Sequence, residues 1–593
     1  MKSSYNNAQQ EAENFLNNEK QFHLGILPTE QSNPKTHNID LTFENNPADG
    51  VRLLLSVDRD IQLMASRILS SNEFQKMVDA GVNTIADGGK IVFSGCGSTG
   101  RLSLLLEAMW RYFFRDLQNE YPDIYSKITK FEDSVFSIIT GGDYALIRSV
   151  EYFEDHQEFG KQQVRELEMT GGDMLIAITE GGETSSVLGT VEEAADRGAE
   201  VFLLFNNPVS VLVEHIERSR RAIEDPRVTV LELFCGSMAI AGSTRMQATT
   251  AELLVAGAAL EIILSRLIKN SITRDQQEKW NIRETDYALA YSTLLDELLT
   301  VNNTETIAAY INLEKEIYQE KGLVTYFANE FLLDIFTDTT ERSPTFMLPP
   351  FKKSDDPVSP VSWAFVKSPL RPTSAVWEHI LGHSPRCLEW DSLLYRGMGV
   401  PESFASDPPK LDKSEIVKFH IGNDRDDSRL SRTPNIAVSI VGGKETLGPG
   451  YQHYQHAFQQ STLKFMQRFT LMIGSGEAAS DFRIACHPVP SMLNLMERLA
   501  VKLILNTIST GTMVRMGRVT GNWMTWVDVS NKKLRDRGIR LISEICNLSY
   551  RDACYALHET MEDLKNQNLT GSEKHSPVQF TINKYRAGDK SKD

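Results

Sequence analysis

The chain has 593 residues and carries 62 Lys and Arg against 79 Asp and Glu, a formal charge of −17. That length asks for roughly three or four folding units, and a hydrophobic fraction of 41% lets each bury an ordinary core. The acidic surplus excludes a dedicated nucleic-acid or membrane-surface binder, which needs clustered Lys and Arg, but leaves room for a local anion site.

In chain order, residues 1–20 are polar and rich in Asn, Gln and Glu, and read as a frayed lead-in. The start has no apolar segment of signal-peptide type. Between Ala48 and Ala86, Leu53, Leu54, Val57, Ile61, Met64 and Ile68 recur at helical spacing. Lys90-Ile-Val-Phe-Ser94 is a short apolar strand that runs into Gly95-Cys-Gly-Ser-Thr-Gly100 and then an apolar helix. A second strand is expected at 135–140, helix over 144–169, and a third strand at 174–179 ending in Glu180-Gly-Gly-Glu-Thr-Ser-Ser186. Helix, strand (201–205), strand (228–234) and helix (244–267) come next. The greasy run 253–267 is broken by Glu261 and Arg266 and is too short for the roughly 20 residues of a membrane span, so it reads as a buried helix. Alternating strand and helix predict a parallel sheet covered on both faces, with ligands at the carboxyl ends of its strands.

Residues 275–318 read as helix, and a weaker alternation then begins, with strands expected at 323–327, 363–366 and 436–441 and helix near 330–342. The Pro-, Ser- and Asp-rich stretch 343–433 lies among them as loop. This half reads as a second copy of the first architecture. Residues 496–570 are helical, and the polar tail after Gly571 is expected to be disordered. The fold expected is therefore α/β: an extension at 1–48, modules at 49–270 and 271–495, and a C-terminal all-helical cap at 496–593.

The loop at Gly95–Arg101 follows a strand and opens a helix, where unpaired N–H groups carry partial positive charge and suit a phosphate. Glycines such as Gly97 let the backbone approach closely, and Ser98 and Thr99 add hydroxyl donors. No Lys-Ser ending is present, which argues against a nucleotide P-loop, and the spacing misses the dinucleotide pattern. Thr184, Ser185 and Ser186, and the loop Gly242-Ser243-Thr244-Arg245, place further hydroxyls near helix starts; each of these loops also fits plain helix capping. The six cysteines lack zinc or redox spacing and read as thiols in a reducing cytoplasm. His453 and His456 read as surface residues, Trp523 and Trp526 as helix packing, and Arg535, Arg537 and Arg540 as a solvated face.

Ser94–Leu102, Gly141–Ala145, Glu151–Asp155, Gly242–Met246, Leu505–Gly511 and Ser530–Arg535, with Thr29–Asn33 near the start, resemble the sugar isomerase (SIS) superfamily. Within it they are similar to the N-acetylmuramic acid 6-phosphate etherases and the glucokinase regulatory proteins. The resemblance implies two SIS modules and a helical lid in one chain, where the etherases use two copies of a shorter chain. It implies that Ser98, Thr99 and Thr184 hold a sugar phosphate, with Gly97, Ser185 and Ser243 close by and Lys502 near it. Glu154 falls on the etherases' catalytic base. In an open-chain sugar the C2 proton lies beside an aldehyde, so a carboxylate can remove it while a second carboxyl group protonates the departing lactyl oxygen. Neither metal nor cofactor is needed.

Family etherases carry that second carboxyl group in an Asp-x-x-Glu segment after the first loop. This chain has Leu106 and Met109 there, and Glu107 sits about 200° round the helix from Met109. The second module, however, reads Asp338-Thr-Thr-Glu341, which suggests a composite site of Glu154 and Glu341; the bland alternative is an idle acid at a helix end. Glu180 and Glu183 near the phosphate loops depart from the etherase pattern and would repel a phosphate unless they turn away. The function expected is an etherase-like lyase that releases lactate. The alternatives are a sugar-phosphate-responsive regulator with a sugar kinase as partner, and a sugar-phosphate isomerase.

Overall fold

A computed structural model describes residues 2–243, 245–279, 285–565 and 575–589. The first sheet contains β1 (Ile91–Gly95), β2 (Val135–Ile139), β3 (Met174–Ile178), β4 (Glu200–Phe205) and β5 (Val228–Glu232) in the order β2-β1-β3-β4-β5. All its pairings are parallel. β1 and β3 are buried at every position, as expected of unbroken apolar runs in a sheet covered on both faces. The second sheet contains β6 (Leu323–Phe327), β7 (Ala364–Lys367), β8 (Asn435–Gly442), β9 (Gln467–Ile473) and β10 (Phe482–Ile484), again all parallel. Its order, β10-β9-β8-β6-β7, is that of the first sheet when each module's strands are counted from its own start. The two α/β modules share one topology.

Six helices frame the crevices at the carboxyl edges of these sheets: α1 (Gly97–Glu120), α2 (Ser185–Asp196), α3 (Gln247–Ile268), α4 (Leu332–Phe346), α5 (Leu495–Arg515) and α6 (Lys532–Cys546). α3 is the buried helix read from the run 253–267, and its Glu261 is satisfied by Tyr287 and Ser491. α5 packs against both α3 and α4, so it ties the modules together, while α6 belongs to the C-terminal helical region. Among the described residues no helix is long and apolar enough to cross a membrane.

Several expectations are corrected. Residues 144–169 are not one helix: two short 3-10 turns, Asp143–Leu146 and Glu151–Asp155, precede the helix Gln157–Glu166. The cause is Gly141 and Gly142, at φ 98° and 70°, which turn the chain across the sheet's carboxyl edge. The lead-in is a helix, Lys2–Asn18, whose Ala8, Ala12 and Phe15 are buried, and it packs on the helix Tyr550–Lys565. The polar tail contains the helix Pro577–Asp589, anchored by buried Val578 and Ile582; residues 566–574 and 590–593 lie outside the described residues. The helical reading of 275–318 resolves into three helices, Arg274–Lys279, Tyr287–Leu298 and Val301–Gln319, with 280–284 outside the described residues. Trp523 lies in a two-stranded hairpin rather than a helix.

Candidate functional site

In a sheet of this strand order the direction of chain progression reverses between β1 and β3, so the loops after them diverge and leave a crevice. A cavity of about 120 Å³ occupies that place. Its floor is Gly97, Ser98 and Thr99 at the start of α1 and Thr184 at the start of α2. Gly97 has φ 55°, a left-handed backbone conformation that favours glycine, while an added Cβ would meet no neighbouring atom. The Thr99 hydroxyl closes the loop: it donates to the Cys96 carbonyl at 2.9 Å and accepts from the Cys96 N–H at 3.0 Å. Thr184 accepts a hydrogen bond from Thr179 at 3.1 Å. The turn Glu151–Asp155 brings Glu154 to the same cavity.

The wall opposite comes from the second module. Glu341 on α4 accepts a hydrogen bond from Ser98 at 3.3 Å, and its other oxygen is paired with Arg101. Arg101 is further held by the Leu146 carbonyl at 2.9 Å and by Ser149 at 3.2 Å. One turn earlier, Asp338 is paired with Arg245 of the first module at 2.9 Å. Glu107 turns away, to Arg111 and Arg386.

The structure therefore brings Gly97, Ser98, Thr99, Thr184, Glu154 and Glu341 around one space. It does not bring the other three there. Ser185 lines a separate cleft of about 890 Å³. Ser243 is 1% exposed, and its hydroxyl is buried beside the cavity rather than in it. Lys502 lies one layer behind, on a small internal space of about 50 Å³ shared with Ser98 and Glu341, where it donates to Thr250 at 2.8 Å and to the Arg245 carbonyl at 3.1 Å. Thr244 lies outside the described residues.

Sequence reasoning misses the third wall. Asn531, Lys533 and Arg537, at the start of α6, line the cavity from the other end of the chain. Lys533 pairs with Glu183 at 2.7 Å and stands 3.6 Å from Glu154. Arg537 and Arg540 are not a solvated face: both are paired with buried Glu30. The available signal is the segment Ser530–Arg535, whose resemblance to the family carries no role for its charges. The acids near the two glycine–hydroxyl loops are shifted by their surroundings. For Glu183, burial alone would raise the carboxyl, but Lys533 and Arg218 outweigh it and hold it below the usual carboxylate range. For Glu180, burial dominates and pushes it up to about 8, so at neutral pH it carries a proton and no charge. Among the described residues no cluster of three His, Cys, Asp or Glu side chains could hold a metal ion.

Known proteins share parts of this chain. Residues 73–195 match the family of the glucokinase regulatory protein N-terminal SIS domain. The chain is 30% identical over 233 residues to N-acetylmuramic acid 6-phosphate etherase 1 of Bacillus licheniformis, covering 39% of this chain and 67% of that one. It is 30% identical over 240 residues to the N-acetylmuramic acid 6-phosphate etherase of Thermobifida fusca, covering 40% and 68%. The C-terminal domain of glucosamine-fructose-6-phosphate aminotransferase from Francisella tularensis superposes with a TM-score of 0.39 at 11% identity, covering 75% of this chain and 95% of that one.

Proposed function

The chain belongs to the SIS superfamily, in the group of the N-acetylmuramic acid 6-phosphate etherases and glucokinase regulatory proteins, and from that premise we propose that its first-module cavity binds the phosphate ester of a small sugar. One observation carries the reading: a helix N-terminus, the hydroxyls of Ser98 and Thr184 and the Lys533 ammonium converge on one space. The α1 N-terminus and the hydroxyls receive the phosphate oxygens. Lys533, already paired with Glu183, adds an ammonium donor to the same space, and the sugar extends toward Ser149, Glu154 and Asn531.

The same geometry favours holding the ligand over turning it over. Both oxygens of Glu341 are engaged, by Arg101 and by Ser98, which suits locking the modules together around the phosphate loop better than protonating a leaving group. Because Asn531, Lys533 and Arg537 belong to α6 and its N-cap, an occupied cavity bears directly on the C-terminal helices. That coupling supports the reading of a ligand-sensing regulator, and the likeness to the glucokinase regulatory protein N-terminal SIS domain suggests a sugar kinase as the partner class. Carbon–oxygen elimination is the second reading, favoured by Glu154: a carboxylate at the sugar end can take the C2 proton as the C3–oxygen bond breaks and the electron pair leaves with the lactyl oxygen, which then takes a proton.

Incubation of the full chain with N-acetylmuramic acid 6-phosphate separates the two. The expected result is a raised Tm without free lactate, with Lys533→Met weakening binding at least tenfold. Saturation to about 100 times Kd corresponds to about 2.7 kcal/mol of added stability. Lactate release abolished by Glu154→Gln would replace this reading with the lyase; no Tm shift with any hexose 6-phosphate would end both.

A pH dependence arises from Glu180. Raising pH through about 8 ionises that buried carboxyl beside the phosphate. Affinity is therefore expected to fall across that range by several-fold, a loss that Glu180→Gln removes. A wild-type affinity unchanged between pH 7 and about pH 9 would show that Glu180 does not act on the ligand.

A further inference from the structure

The second module has a crevice in the corresponding place. Between β6 and β8, whose loops are the counterparts of those after β1 and β3, lies a larger cavity of about 580 Å³. Asn329, Glu330 and Phe331 follow β6, Arg371 follows β7 and Lys444 follows β8. The far wall comes from the other module here too, through Met109, Tyr112 and Arg115 of α1. Met109 stands as far beyond β1 as Glu341 stands beyond β6. The two cavities are thus related by an approximate two-fold exchange of modules, and each helix lends one wall to the other module's crevice. In this crevice a methionine takes the place held by a carboxylate in the first.

Its charges differ as well. Lys444 is paired with Glu497, and Arg498 with Asp334. Arg371 has no carboxylate within ion-pair distance among the described residues, and its Nη1 is buried without an acceptor. The nearby Arg115 guanidinium lies 3.3 Å from His379 Nδ1 and pairs through Nε with Asp116, an exposed acid on the cavity rim, at 3.1 Å, which leaves its Nη groups for a ligand. Burial, helped by the two arginines, pushes His379 down to about 3, so the ring is neutral. Burial and the neighbouring Glu445 and Glu497 push Glu330 up to about 8, so this acid is protonated at neutral pH and does not cancel Arg371. An unpaired guanidinium beside a second one, in a cavity of small-molecule size, lacks an anion.

We infer that the second-module crevice, built on Arg371 and Arg115 and walled by α1, is a second ligand site, which takes a small hydroxylated phosphate monoester without chemistry. The guanidiniums fork onto the phosphate oxygens. Asn329, Asn494 and protonated Glu330 are left for hydroxyl groups. Occupancy would reach the first site through α1 itself, whose first turn is the phosphate loop of one cavity and whose middle is the wall of the other.

Calorimetric titration of the full chain with glucose 6-phosphate at low ionic strength tests this. Two equivalents are expected to bind. Arg371→Met weakens one of them at least tenfold, Lys533→Met weakens the other, and Arg371→Lys restores part of the loss. Arg371 is half-buried and makes no side-chain hydrogen bond among the described residues, so Arg371→Met is expected to melt like the wild type. A single equivalent lost in Lys533→Met and untouched in Arg371→Met would overturn the second site and leave the first. A single equivalent lost only in Arg371→Met would do the reverse. Inorganic phosphate binding as tightly as the ester at the Arg371 site would overturn the assignment of a sugar ester there.

Discussion

Glu341→Ala is expected to lower stability by about 3–5 kcal/mol and to remove ligand binding at the first-module cavity. Glu341 is 5% exposed and Arg101 1%, so truncation strands a guanidinium in a place water does not reach. The hydrogen bonds of Arg101 to the Leu146 carbonyl and Ser149 remain, but neither neutralises it. Ser98 loses that acceptor at the same time, and with it the contact that fixes its hydroxyl toward the cavity. The contact crosses modules, so chemical denaturation is expected to lose its single transition in this variant. Arg101→Met with Glu341→Leu should recover much of the stability, because an apolar pair removes both charges together, but not the ligand affinity. A Glu341→Ala protein that stays within about 1 kcal/mol of wild type would show that the pair does not hold the modules together.

The second large effect is expected at Glu30, far from the cavity in sequence. Its carboxylate is 2% exposed and takes Arg537 at 2.6 Å and Arg540 at 2.9 Å, clasping the N-terminal segment onto α6. Glu30→Ala leaves Arg537 buried without its counter-ion, at a cost of about 3–5 kcal/mol. Burial by itself would raise the Glu30 carboxyl, but the two guanidiniums outweigh it and hold it well below its ordinary value of 4.5. A carboxyl depressed in the folded protein binds fewer protons there than in the unfolded chain. Its stabilisation is therefore fully present above about 4.5 and is lost as pH falls below that value. Urea midpoints measured between pH 7 and pH 3 should fall more steeply for wild type than for Glu30→Ala. Parallel curves would remove Glu30 from the acid transition.

The two modules are legible in the sequence because both sheets are parallel and buried on both faces, so strands such as 91–95 and 174–178 appear as unbroken apolar runs. β9 and β10 are not: β9 begins with the exposed pair Gln467 and Arg468, and β10 has only three residues. The N-terminal helix escapes notice because three small or apolar residues, Ala8, Ala12 and Phe15, carry its buried stripe through an otherwise polar segment. At the candidate site, the glycine–hydroxyl loops that line the cavity are legible from composition and spacing, and Glu154, which lines it too, only through the family resemblance. Lys533, Arg537 and Glu30 are not, because charges in a charged segment read as solvated whenever the partner is hundreds of residues away.

The repeated strand-and-helix plan, the glycine–hydroxyl loop after β1, and the Asp338-Thr-Thr-Glu341 segment on α4 can all be read along the chain. They are matters of local periodicity and spacing, which chain connectivity preserves. It takes the folded arrangement to show that Glu341 meets Ser98 and Arg101, that Lys533 lines the cavity, and that burial pushes the Glu180 carboxyl up. Pairing and protonation depend on burial and on distance through space, and neither is a function of distance along the chain.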